Sequence, residues 1–97
     1  MKEVTVQEVP VGAQLIDVRE PEEYAEVHAA GAVNIPLSEL PQRTGEIDTD
    51  RPVYLICKSG GRSAQAAAYL EQSVGYDNLI NVEGGTTAWV RAGLSSE

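Results

Sequence analysis

Val53-Tyr54-Leu55-Ile56-Cys57-Lys58-Ser59-Gly60-Gly61-Arg62-Ser63 runs from an apolar stretch into the only cysteine of the chain, then into two glycines with a cation on each side. The apolar stretch does not alternate cleanly, which is the pattern of a parallel strand buried on both faces. An alanine-rich segment follows, Ala64 to Leu70, and its spacing predicts a helix. Strand, tight loop and helix together put the Cys57 sulfur at the carboxyl edge of a sheet, where open α/β sheets bind their ligands. Gly60 and Gly61 permit backbone angles closed to other residues. Successive amides there can turn inward as an anion-binding nest, with the amino end of the helix aimed at the same point. A thiol so placed is expected to ionise at a pKa of ~3.5–7.5 rather than ~8.5, and so to be a nucleophile. A lone cysteine is more often a small, inert core residue. Two glycines, Lys58, Arg62, Ser59 and Ser63 within six positions of it favour the reactive reading.

Working outward, the same alternation of strand and helix recurs. Lys2 to Gln7 reads as a short edge strand and Val6 to Val9 as a helical turn; Gln14 to Val18 reads as a buried strand. Pro21, with Glu22 and Glu23 behind it, suits the first turn of a helix that extends to about His28 and stops at Gly31. Ala32 to Pro36 is a third strand, and Leu37 to Leu40 with Pro41 a helical turn. Thr44 to Pro52 is polar and turn-like, the expected surface connection and the expected most mobile part. After the central loop and its helix, Gly75 is the expected C-cap and Leu79 to Val82 the last strand. Thr86 or Thr87 is expected to cap a final helix through Ala88, Trp89 and Val90, ended by Gly93. The connections are too long for hairpins. The fold class is therefore α/β, a single domain over residues 1–97 with a mostly parallel sheet and helices on both faces.

Composition narrows the function. Ninety-seven residues suffice for one core. One cysteine excludes an internal disulfide and any zinc site built on several thiolates, and it fits a reducing, cytoplasmic setting. The first residues carry no apolar signal-peptide region, and no apolar run approaches the ~18 residues of a membrane span. A formal charge of −8 opposes binding to nucleic acid or to acidic membranes. The acidity reads as a solvated surface, so an anionic substrate must be captured by a local field at Cys57.

Four stretches in order resemble the rhodanese family of sulfurtransferases. They are Leu15-Ile16-Asp17-Val18-Arg19-Glu20, His28-Ala29-Ala30-Gly31-Ala32-Val33-Asn34-Ile35-Pro36, Cys57 to Ser63, and Glu83-Gly84-Gly85-Thr86-Thr87-Ala88-Trp89. The resemblance covers nearly the whole chain. Val27 and Ala30 depart from the family pattern, where Gly and Pro are frequent, and neither touches the loop. The resemblance implies a single rhodanese-like domain with a five-stranded parallel sheet. It also implies that Cys57 takes the outer sulfur of a small anionic donor such as thiosulfate as a persulfide, with no separate cofactor and no metal, and yields it to cyanide or a thiol. The amides of Lys58, Ser59, Gly60, Gly61, Arg62 and Ser63 would stabilise that anion.

Several residues have two readings. Lys58 either steers the donor or is a solvated cation. Arg62 either meets substrate or, the favoured reading, pairs with Asp17 or Glu20. Asp17 and Arg19 are expected to order the site. Ser59 and Ser63 either bond the persulfide or cap the helix. His28, the only histidine, could pair with the cysteine, but its motif looks architectural. Trp89 is expected in the core or as a wall of the site. Four residues separate Cys57 from Arg62, one fewer than a thiol phosphatase loop needs, so phosphate- or arsenate-ester chemistry is the runner-up enzyme reading. The same loop could also serve a binding or redox-sensing module, or relay sulfur to a protein acceptor.

Overall fold

Neighbouring residues of a strand face opposite sides of the sheet, so an unbroken apolar run can feed two cores at once. The computed structural model, which describes residues 1–97, shows this at each inner strand. The strands are β1 (Lys2–Val4), β2 (Gln14–Asp17), β3 (Val33–Asn34), β4 (Val53–Ile56) and β5 (Leu79–Val82). They form one sheet in the order β1-β5-β4-β2-β3, and every pairing is parallel. The helices are α1 (Pro21–Glu26), α2 (Leu40–Arg43), α3 (Gly61–Tyr69) and α4 (Gly85–Arg91).

Ile16, Val53, Leu55 and Leu79 face α2 and α3, where Leu40, Ala66, Ala67 and, in the turn just after α3, Leu70 complete one core. Leu15, Ile56, Ile80 and Val82 face the other way and meet Trp89 of α4, with Tyr24 of α1 packed at the edge. Ala66 and Ala67 are fully buried, and their small side chains let α3 lie close on the sheet. β4 is bonded on both sides, to β2 and β5, so the residue after it is held from two directions. No helix is long and apolar enough to cross a membrane.

Three local expectations change. α1 ends at Glu26, not His28, because Val27 is extended and the next segment pairs elsewhere. His28 N–H donates to Glu97 O, and Ala30 N–H to Ser95 O, so those amides are spent on the C-terminal segment. The connection from Thr44 to Pro52 lies at the surface as expected, but it is pinned at two points. Ile47, its one apolar residue, is buried in the core under α2 and α3. The Gln14 amide spans Asp48, accepting from its N–H at 2.7 Å and donating to its carbonyl at 2.9 Å. Finally, neither threonine caps α4. Its N-cap is Gly84 with no side-chain bond, and the amides of Thr86 and Thr87 are satisfied by Cys57 O (2.8 Å) and Lys58 O (3.1 Å).

Candidate active site

Those two hydrogen bonds fix the start of the loop, since the first turn of α4 closes on the carbonyls that follow β4. The approach is so near that a Cβ at Gly85 would stand 2.4 Å from Cys57 O. At the other end Gly60 adopts φ +115° as the N-cap of α3. This turns the chain back over the sulfur. Gly61, by contrast, is the ordinary first residue of the helix.

The loop's donors face inward. Gly60 N–H lies 3.1 Å from the Cys57 sulfur and Ser63 Oγ lies 3.3 Å from it. The side chain is almost fully buried, with 1 % of the residue exposed. Burial pushes the thiol up. Hydrogen bonds from the Ser63 hydroxyl and from the amides of Ser63, Gly60 and Ser59 outweigh it and hold the pKa below the ordinary cysteine value. Thus the sulfur packs into the apolar core under α3, and the donors of the loop converge on it there. Ser63 also contacts the Gly60 carbonyl at 3.2 Å and Asn81 Oδ1 at 2.5 Å, and α3 has no side-chain cap. Ser59 is exposed and contributes its amide alone.

Arg62 forms a structural ion pair, but with neither of the expected partners. Its two terminal nitrogens reach the Glu23 carboxylate at 2.6 and 3.0 Å. Asp17 is unavailable because Arg19 holds it through Nε and Nη2, with every contact between 2.9 and 3.1 Å. Glu23, one turn into α1, faces the loop instead. The guanidinium lowers the Glu23 pKa from 4.5 to about 2. Arg19 Nη2 also donates to Val27 O at 2.6 Å, tying the end of β2 to the end of α1.

Beside the loop is a cleft of about 300 Å³ whose lining includes Arg19, Glu23, Glu26, Lys58, Thr86 and Thr87. Lys58 is exposed at its rim and forms none of the ion pairs. His28 is not brought to the sulfur. Its ring stacks on Tyr24 with centroids 3.7 Å apart, and Nδ1 meets Tyr24 O at 2.7 Å. Trp89 is a core residue whose indole N–H donates to Ser95 O. The sequence reading missed Asn81 and Glu23. A polar residue within the buried Leu79–Val82 strand was the available signal for Asn81; Glu23 looked like any acidic residue in a first helical turn.

A family model described as a rhodanese-like domain matches residues 5–92. The chain belongs to the rhodanese-like family. It is 49% identical over 92 residues to YqhL of Bacillus subtilis, an uncharacterized protein, covering 92% of this chain and 72% of that one. It is 45% identical over 80 residues to a sulfurtransferase of Allochromatium vinosum, covering 82% and 74%. The crystal structure of a rhodanese-related protein from Thermoplasma volcanium superimposes with a TM-score of 0.91 at 32% identity, covering 100% of this chain and 98% of that one. The single five-stranded parallel sheet with four helices is thus the rhodanese fold.

Proposed function

We propose that this rhodanese-like protein is a sulfurtransferase that moves a sulfane sulfur through a persulfide on Cys57. The observation that carries the reading is the convergence of Gly60 N–H and Ser63 Oγ on a buried sulfur whose pKa is lowered. A rhodanese-type sulfur-transfer role is supported further by family membership and by a relative named a sulfurtransferase.

The donor is a small sulfur anion such as thiosulfate. The Cys57 thiolate attacks its outer sulfur, and a new S–S bond forms as the old one breaks. Sulfite leaves with the electron pair, and Cys57 is left as a persulfide anion. Cyanide or a thiol, including a thiol on a protein acceptor, then attacks the outer sulfur and the thiolate is regenerated. The charge on sulfur stays within reach of the same amides throughout, so little reorganisation accompanies the transfer. Neither step needs a metal or a separate cofactor. Arg19 with Asp17, and Arg62 with Glu23, hold the surrounding walls, and Lys58 meets the incoming anion.

The test is intact-mass spectrometry after incubation with thiosulfate. The wild-type protein is expected to gain one sulfur atom, to lose it on addition of cyanide with formation of thiocyanate, and the Cys57→Ser variant to gain none. No mass gain from thiosulfate and no cyanide consumption in the wild type would overturn the reading.

A further inference from the structure

The Ser63 hydroxyl has one proton and three acceptors around it. These are the Cys57 sulfur at 3.3 Å, Gly60 O at 3.2 Å and Asn81 Oδ1 at 2.5 Å. Only one of them can receive that proton at a time. Asn81 is the nearest, and the orientation of its amide is not free. Its Nδ2 faces Glu3 Oε2 at 3.0 Å and Gly60 O at 3.4 Å. Turning the amide over would set its oxygen against a carboxylate and a carbonyl, so the oxygen must face Ser63. The sheet register enforces this, because Glu3 of β1 is the partner of Asn81 of β5. Asn81 is 1 % exposed, so water does not relieve the arrangement.

We propose that Asn81, oriented by Glu3, is a positioning residue that competes with the Cys57 sulfur for the Ser63 proton. The inference rests on Cys57 being the nucleophile. With a neutral thiol, Ser63 donates to Asn81 and can accept from the S–H. When the thiol gives its proton to solvent, or carries a persulfide anion, the hydroxyl turns to the sulfur and Asn81 Oδ1 loses its donor. Asn81 therefore keeps the thiolate from being over-stabilised. That matters because the nucleophilicity of a thiolate falls as its pKa falls. The device sets how basic, and so how reactive, the sulfur is at neutral pH.

Substitutions at Glu3, Ser63 and Asn81 leave the other charges near the sulfur in place. Lys58 and Arg62 lie on the loop, and Arg62 is held by Glu23 of α1. Asp17 and Arg19 pair at the end of β2. Glu26 stands across the cleft, and the first turn of α4 is uncharged.

The test is the pH dependence of Cys57 alkylation by iodoacetamide, which reads the thiol whether or not sulfur is transferred. Asn81→Leu removes the competing acceptor at similar volume, and its midpoint is expected to fall by about half to one pH unit, the size of one hydrogen bond. Glu3→Gln, at an exposed position that does not threaten folding, frees the Asn81 amide to turn over and is expected to shift the midpoint the same way by less; the part due to the amide is the part that disappears in Glu3→Gln/Ser63→Ala, since the lost carboxylate charge acts whether or not the hydroxyl is present. Ser63→Ala is expected to raise it, and Ser63→Ala/Asn81→Leu to match Ser63→Ala alone. Unchanged midpoints in both Glu3→Gln and Asn81→Leu, or an Asn81→Leu shift that persists without the Ser63 hydroxyl, would overturn the proposal. A normal alkylation series with no mass gain from thiosulfate would overturn the sulfur-transfer reading instead.

Discussion

A methyl group at position 85 would stand 2.4 Å from Cys57 O and 2.6 Å from the Lys58 carbonyl atoms, all of them backbone. None of these can rotate away, and Gly85 sits at φ +57°, where a side chain adds strain of its own. Gly85→Ala is therefore expected to destabilise the fold by about 2–4 kcal/mol and to displace the loop. Thermal unfolding would show the first effect, and loss of persulfide formation below the melting temperature the second. The next residue behaves oppositely. The Thr86 hydroxyl is buried without any hydrogen-bond partner, and such a group costs about 1–3 kcal/mol. Valine has nearly the same shape and no such group. Thr86→Val is expected to raise the melting temperature, with a stabilisation of about 1 kcal/mol. A drop in melting temperature would mean that the hydroxyl is satisfied in solution.

α1 spans six residues and fully buries none of them, and only Tyr24 packs at the edge of the core, so packing alone holds it weakly. It is fastened by side-chain bonds: Arg62 to Glu23, Arg19 to Val27 O, and Tyr24 OH to Ala32 O. Because the Glu23 pKa falls from 4.5 to about 2 on folding, the folded protein binds fewer protons than the unfolded chain between those values. The stabilisation from the pair is complete above the unfolded value and is lost as pH falls toward the folded one. Side chains about a third exposed, 35% and 32%, screen it, so Glu23→Gln is expected to cost under about 1 kcal/mol near neutral pH. Urea titrations at a series of pH values should show the variant losing less stability than the wild type on acidification through that range. Strands, loop and helix order were legible at this scale because the three inner strands are short, largely apolar runs and the turns between elements carry Gly or Pro. The side-chain fastenings were not. Arg62 could be seen to need a carboxylate, but choosing Glu23 over Asp17 requires knowing that Arg19 folds back on Asp17. Asn81 acquires its role only when β5 lies between β1 and β4. Likewise, one isoleucine in a polar run gave no hint that Ile47 would plug the core and anchor its connection.

Over the whole molecule, fifteen acidic residues against seven basic ones give −8, and the Cα atoms span only 34 × 26 × 22 Å. The Debye length is about 30 Å at 0.01 M salt and about 8 Å at 0.15 M. At low salt an approaching dianion therefore feels nearly every charge, and the sum repels it. At physiological salt it feels mainly the cleft. There the guanidinium of Arg19 is matched by Asp17 and that of Arg62 by Glu23, and the unpaired Lys58 faces the unpaired Glu26, so the positive potential at the sulfur comes from Lys58 together with the loop amides that point at it. The two regimes have opposite signs, and the proposed donor reports the crossover. kcat/KM for thiosulfate is expected to rise on the order of two- to tenfold between those salt concentrations. Lys58→Gln should lower it at both concentrations, and by the larger factor at the lower one, where its charge is least screened. A basic protein acceptor would respond in the reverse sense, its transfer rate falling as salt screens the attraction of the −8 surface. Stopped-flow turnover with thiosulfate across a salt series checks the sign directly. A rate that falls with salt would mean that the field of Lys58 and the loop amides already outweighs the rest of the protein at a distance.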